Sequence, residues 1–235
     1  MSDKKNQEKS AKPNLASPAD ATVKAPLVIA CGDEGVQINL GRRLAFLGAG
    51  LKLEGFSQVL VALRKMLDLY PNVPDHELRL VASEENAYVK EILELNDFDE
   101  TNASMQQHLQ ALADKEHLLY AGILPFADPL ELEHGIKGHM VRPRNIHIAN
   151  KICFTLAGGE TTYNLGQYLI SADWLAFAKA DLIKSVIDTQ VKFYEKLAKR
   201  PLKFVIEENG DLPSEVVAKN KAILLSLGYN FSLDV

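Results

Sequence analysis

Apolar and polar residues follow two periods along this chain, one typical of strands and one typical of helices. The clearest pattern lies between Ser171 and Arg200, where apolar residues recur every three or four positions and charged residues fill the opposite side. This pattern predicts a long amphipathic helix that Ser171 caps and that ends before Pro201. Shorter helices are predicted over residues 56–70, 83–95, 102–113 and 213–227.

Strand-type runs are separated by turn residues, and two pairs of runs predict β-hairpins. Leu27–Cys31 and Val36–Leu40 flank the sequence Gly-Asp-Glu-Gly. Residues 145–156 and 161–170 flank a second turn sequence, Gly-Gly-Glu. Further strands are predicted over residues 78–81, 117–123 and 202–206. Because helices and strands alternate irregularly, we expect an α+β fold: a mixed, largely antiparallel sheet with helices packed on one face.

Two stretches follow neither period. Residues 1–25 are mostly Lys, Ser, Asn, Ala and Pro, and this composition cannot offset the entropy of ordering it, so we expect a disordered N-terminal tail. Residues 125–144 hold two glycines, three prolines and clustered charge, which predicts a long loop. We therefore expect a single α+β domain over residues 26–235, with a candidate seam in the loop 125–144.

The charge balance narrows the range of partners. The 235 residues include 26 Lys and Arg against 31 Asp and Glu, a formal net charge of −5. The tail contributes five basic and three acidic residues, so the remainder is more acidic than the whole chain. This balance argues against a general binder of phosphate backbones, and we do not expect nucleic acid as a partner.

The positions of the two cysteines and the lengths of the apolar stretches indicate the cellular compartment of the protein. Cys31 and Cys153 lie inside apolar strand-type runs, where a free thiol behaves as a small buried hydrophobe, and two cysteines do not form a disulfide framework. The tail has no apolar core of a signal peptide, and the longest apolar stretch, residues 118–127, is too short to span a bilayer. We expect a cytoplasmic protein without membrane insertion.

One segment of this acidic chain, residues 137–151, is rich in basic residues. Arginine forks suit bidentate contact with carboxylate or phosphate groups, and loops held by a rigid scaffold often carry binding groups. The segment therefore predicts an anion-binding or partner-binding site. The alternative is that its side chains pair with surface acids such as Glu131 and Glu133. The candidate site residues are Lys137, His139, Arg142, Arg144, His147 and Lys151.

Other motifs are weaker. Gly48-Ala49-Gly50 lacks the third glycine of a dinucleotide fingerprint, because Leu53 stands at that position. His134, His139 and His147, with two nearby glutamates, match no metal-site spacing, so no metal or other cofactor is expected.

No nucleophile motif is present, and catalytic residues cannot be named from the sequence. Trp174 is predicted to pack in the core rather than to anchor a partner.

These observations favour a non-enzymatic interaction protein: a cytosolic adaptor or chaperone-like subunit of a larger protein assembly. The acidic body, the basic arm, the charged loop and the missing catalytic constellation motivate this hypothesis. The alternative is an enzyme or binding protein for a small anionic metabolite that uses the basic loop 137–151. A nucleic-acid-associated function is the weakest hypothesis because of the negative charge.

Overall fold

The computed structural model describes residues 26–69, 77–84, 86–95, 97–141, 147–157 and 166–232. Within these ranges the chain forms ten β-strands in three sheets and five α-helices. We refer to the sheets as A, B and C.

Sheet A has four strands, and every pair of neighbours in it is parallel. Its order is β3-β1-β4-β5, with Ile29 opposite both Leu44 on one side and Leu80 on the other. Three of the strands are buried at every position, as expected for a parallel sheet covered on both faces. The strands are β1 (Leu27–Cys31), β3 (Arg42–Phe46), β4 (Arg79–Ser83) and β5 (Leu119–Leu124).

The other two sheets have three strands each. Sheet B is antiparallel with the order β2-β7-β6, and its strands are β2 (Val36–Leu40), β6 (Leu130–Glu131) and β7 (Lys137–Met140). Sheet C is parallel with the order β10-β8-β9, and its strands are β8 (Lys151–Thr155), β9 (Gln167–Ser171) and β10 (Lys203–Glu207).

Two of the five helices begin at a side-chain cap, and two end at a left-handed residue. Asp97 accepts a hydrogen bond from the Glu100 amide at the start of α3, and Asn86 accepts one from the Val89 amide at the start of α2. The left-handed residue Lys199 ends α4. The helices are α1 (Phe56–Leu67), α2 (Ala87–Ile92), α3 (Phe98–Glu116), α4 (Ala180–Ala198) and α5 (Ser214–Ser226).

Successive residues of β1 face two different apolar clusters. Leu27 and Ile29 belong to the large core that includes residues of all five helices. Val28 and Ala30 belong to a second cluster that includes Met140 of sheet B. Sheet A is therefore sandwiched between helices and sheet B, and both faces of β1, β3 and β4 are buried.

The predicted fold class is wrong. Sheets A and C are parallel, and only the small sheet B is antiparallel, so the chain is a mixed α/β protein rather than α+β with a largely antiparallel sheet. Both predicted hairpins fail for the same reason. β1 pairs with β3 and β4 while β2 pairs with β7, and β8 lies parallel to β9. A turn-forming sequence fixes only the local chain direction, whereas pairing is decided by strands distant in sequence.

Two further expectations need correction. Residues 125–144 are not one long loop, because β6 and β7 lie in this stretch and pair with each other. The long helix begins at Ala180 rather than Ser171, since Ser171 ends β9 and its hydroxyl accepts a hydrogen bond from the Ala45 amide. Trp174 is fully buried, as predicted.

Candidate functional site

The carboxyl ends of β1 and β4 form the topological switch point of sheet A. After β1 the chain forms β3 on one side of β1, and it then crosses over to form β4 on the other side of β1. In α/β proteins, the crevice outside the carboxyl ends of two such strands is the usual place for a ligand. Residues 32–35, which we call the switch-point loop, follow β1 at this edge, and Asn86 follows β4.

Four polar or charged side chains are buried around the switch-point loop. The exposed fractions are 1% for Asp33, 1% for Glu34, 4% for Arg43 and 2% for Asn86. Burying charged groups is costly unless they are hydrogen-bonded or paired, so such a concentration is typical of a functional site or of a rigid polar network.

Arg43 lies on β3, and its side chain holds the main chain of the switch-point loop in place. Its terminal nitrogens donate to the carbonyl oxygens of Cys31, of Asp33 at 3.0 Å and of Val36 at 2.9 Å. Burial lowers the pKa of this guanidinium, and the neighbouring Cys31, Tyr194 and Asp33 oppose that shift. The terminal nitrogens thus fix the path of the main chain on both sides of the loop.

Asn86 connects the two sides of the switch point. Its Nδ2 donates to Oδ2 of Asp33 at 3.0 Å and to Sγ of Cys31 at 2.6 Å. Its Oδ1 accepts the Val89 amide at 3.0 Å and so caps α2. One side chain therefore fixes the Asp33 carboxylate, the end of β1 and the start of a helix.

Glu34 and Gly35 hold the chain at both ends of residues 142–146. The Val141 amide donates to the Gly35 carbonyl at 2.8 Å. The Ile148 amide donates to Oε1 of Glu34 at 2.7 Å, and Nδ1 of His147 lies 3.5 Å from the same oxygen. The described residues on either side of this segment are therefore fixed on the switch-point loop.

Tyr194 of α4 packs against Gly32. Its ring stacks on Tyr168 with 4.4 Å between centroids, and its hydroxyl lies where a Gly32 side chain would stand, beside the Leu169 carbonyl. Burial, followed by the nearby Cys31 and Asp33, raises the pKa of the Tyr194 phenol well above its usual range. The phenol therefore stays neutral, and only glycine fits at position 32.

The structure separates the predicted site residues. Lys137 and His139 lie on β7, where His139 is buried opposite Gln37. His147 precedes β8 and lies against Glu34, while Lys151 begins that strand and is half-buried. Arg142 and Arg144 lie outside the described residues. Of the six, only His147 is found at the switch-point loop in the described part of the chain.

Sequence reasoning missed the switch-point residues. The sequence pattern places Asp33 and Glu34 in a hairpin turn, although two acids that follow Gly32 at the end of the apolar run Leu27–Cys31 are also a signal for the carboxyl end of a buried strand. The hydrogen bonds that bring Arg43 and Asn86 to the loop carry no local signal, because those partners lie 7 to 12 positions from Arg43 and 53 to 55 positions from Asn86.

Two other kinds of site can be considered from the sequence: a phosphate site at residues 48–50 and a metal site. A side chain at Gly48 would meet the Tyr88 ring and one at Gly50 would meet the Phe56 ring, so this glycine-rich stretch packs in the core and does not cradle a phosphate. Among the described residues, no group of three or more His, Cys, Asp or Glu side chains is placed to bind a metal ion.

Both cysteines are buried free thiols. Burial raises the pKa of the Cys153 thiol to about 12, with a further contribution from Glu207. It also raises the pKa of the Cys31 thiol, assisted by Asp33. Neither thiol has the lowered pKa of a nucleophile.

Comparison with known proteins does not assign a function. No protein-family model matches the chain, and neither a curated protein nor a solved structure matches it. Within the described ranges, none of the helices has the length and apolar character needed to cross a bilayer. The geometry of the switch-point loop is therefore the basis for a functional proposal.

Proposed function

We propose that this protein binds a small anionic molecule at the carboxyl edge of sheet A, beside the switch-point loop. The observation that carries the proposal is the attachment of Val141 to Gly35 and of Ile148 to Glu34. Arg142 and Arg144 stand in the sequence between these attached positions, and their guanidinium groups are proposed to contact the anion.

One physical argument supports this location. The loop lies at the switch point of a parallel sheet, where α/β proteins usually bind ligands. We propose binding only and assign no reaction.

A thermal-shift experiment tests the proposal. The unfolding midpoint of the parent protein would be measured with inorganic phosphate, nucleotides and di- and tricarboxylates, beside Arg142→Ala, Arg144→Ala and the control Lys219→Ala. An anion at 100 times its Kd stabilises the folded state by about 2.7 kcal/mol, which corresponds to several degrees. We expect this shift in the parent and the control and its loss in both arginine variants.

The competing explanation is that the two arginines only neutralise acids of the protein itself. In that case Arg142→Ala and Arg144→Ala would lower the midpoint without any ligand, and no anion would shift the parent. That result, or an equal ligand shift in the parent and in both arginine variants, would refute anion binding by these residues.

The second candidate function is the interaction protein: an adaptor or chaperone-like subunit of a larger assembly. The observation that favours it is a group of basic side chains near the amino ends of β8 and β10 that form no ion pair in the described part of the chain. A protein partner with acidic groups would supply the missing charges.

Affinity purification from the native cell tests this second candidate. The full chain would be compared with a variant lacking residues 1–25, and the size of the recovered species would be measured. A defined complex is expected for the full chain. Recovery of the full chain only as a free monomer would count against an adaptor role.

A cytoplasmic location is part of the same proposal. Its support is that Cys31 and Cys153 are buried free thiols, which are the usual state of cysteine in a reducing compartment. Fractionation of the native cell, followed by detection of the chain in each fraction, tests it. Recovery in a membrane or secreted fraction would refute it.

A further inference from the structure

Four basic residues meet where α4 ends and two strands of sheet C begin. We call them the cationic edge: Lys151 at the start of β8, Lys203 at the start of β10, and Lys199 and Arg200 directly after α4. Only Lys151 belongs to the site predicted from the sequence. The parallel pairing of β8 and β10 brings Lys203 beside it, and Lys199 and Arg200 precede β10 in the chain.

The two strand lysines are direct neighbours. Lys203 lies opposite Lys151 in the register of β10 and β8, so both side chains leave the same face of sheet C. Like charges on adjacent strands repel each other and destabilise the pair. Arg200 is held close to them by donating to the His147 carbonyl at 3.0 Å.

These four charges are not neutralised within the described part of the chain. No carboxylate there forms an ion pair with any of them, although Lys196 one turn earlier in α4 contacts Glu91 at 2.7 Å. The negative end of the α4 dipole accounts for a basic residue such as Lys199 or Arg200. It does not account for two lysines side by side on strands.

An apolar side chain lies next to this charge. Ile148 follows His147, whose carbonyl holds Arg200, and Ile148 is 50% exposed. A protein surface offers apolar and acidic groups together, whereas a nucleic-acid backbone offers phosphates without an apolar partner for Ile148. The net charge of −5 of the whole chain also disfavours a long polyanion.

We infer that the cationic edge, together with Ile148, docks an acidic and partly apolar segment of a partner protein. The inference rests on the proposed interaction function and names the surface and the partner's chemistry. The acidic groups contact the four cations, and an aliphatic group covers Ile148.

The test uses a fluorescently labelled peptide of alternating Glu and Leu residues as the probe. Its affinity for the full chain would be measured by anisotropy at low and physiological salt. The variant is Lys151→Glu/Lys203→Glu, and the matched control is Lys65→Glu/Lys219→Glu, which reverses two exposed lysines elsewhere. We expect the variant to lose about tenfold in affinity and the control less than about twofold.

A second variant separates a loss of binding from a loss of folding. Lys151→Gln/Lys203→Gln removes the two charges without adding acids, and its unfolding midpoint is expected to equal that of the parent. It should still weaken peptide binding by about threefold, because it removes attraction without adding repulsion.

Several results would overturn the inference. One is equal peptide binding by the parent, the control and both variants. Another is binding of oligothymidylate at least as tightly as the peptide. If the native complex is recovered equally with Lys151→Glu/Lys203→Glu, the interaction function stands and the cationic edge is not its surface. If no complex forms with the parent but the peptide effects appear, the surface chemistry holds and the adaptor role fails.

Discussion

Charged and polar side chains are in different environments at the switch-point loop and at the cationic edge. At the loop, Arg43 and Asn86 are buried, and they donate to Cys31, Asp33 and Val36. At the cationic edge, the charges lie near the surface and form no ion pair in the described part of the chain. Buried donors are expensive to leave unsatisfied, while exposed charges are solvated. Substitutions at the loop should therefore change folding, and substitutions at the edge should change binding.

The largest effect is expected for Arg43→Ala. It removes hydrogen bonds to three carbonyl oxygens and leaves those buried acceptors without the guanidinium. We expect the free energy of unfolding to fall by about 3–5 kcal/mol, measured by urea denaturation. Arg43→Lys should recover only part of this loss, because an ammonium cannot reproduce the planar fork. A loss below about 1 kcal/mol would show that the loop keeps its path without Arg43.

Asn86→Ala should have the next largest effect. It removes the α2 cap and the contacts with Asp33 and Cys31, so we expect a loss of about 2–3 kcal/mol. Asn86→Asp retains an acceptor for the cap but faces Asp33 with a second carboxylate. The stability difference between the parent and Asn86→Asp should therefore be larger at pH 7 than in acid, because the repulsion requires two ionised carboxylates. A difference that does not change with pH would contradict the placement of Asn86 beside Asp33.

Glu34→Gln should have a smaller effect. The substitution keeps an oxygen acceptor for the Ile148 amide but removes the negative charge beside His147. We expect the free energy of unfolding to fall by about 1 kcal/mol. Hydrogen exchange at the Ile148 amide should remain slow, because its acceptor is retained. Fast exchange at that amide would indicate that the carboxylate charge, and not the oxygen, holds the chain there.

The smallest effect on stability is expected at the cationic edge. Lys151→Gln/Lys203→Gln removes two like charges from neighbouring strands. The free energy of unfolding should change by less than about 0.5 kcal/mol, with any change in the stabilising direction. A clear destabilisation in the same urea experiment would mean that these lysines contribute to folding, and the contrast between the two regions would disappear.

Local pattern predicted many elements correctly. Helices α1 and α5 and strands β4, β5 and β10 lie within a few residues of their predicted positions, because each is a short run that is rich in apolar residues and bounded by polar or turn-forming residues. Ser171 shows the limit of such signals. A serine before an amphipathic run is typical of a helix cap, but here its hydroxyl bonds to β3, and the helix begins nine residues later.

The candidate site was predicted only in part. The basic segment drew attention to His147, which lies at the switch-point loop, but the same reasoning grouped it with Lys137 and His139 on a separate strand. The four buried groups at the loop come from three separate stretches of the chain, so no spacing within one segment could have brought them together.

The sequence by itself determined where charge concentrates and where most helices and several strands form, because these depend on neighbours within a few positions. The tertiary structure alone decided that β1 pairs in parallel with β3 and β4, that Asp33 meets Asn86, and that Lys151 meets Lys203. Strand pairing is chosen by the burial of whole faces against distant segments, and that choice leaves no periodic signal in the local chain.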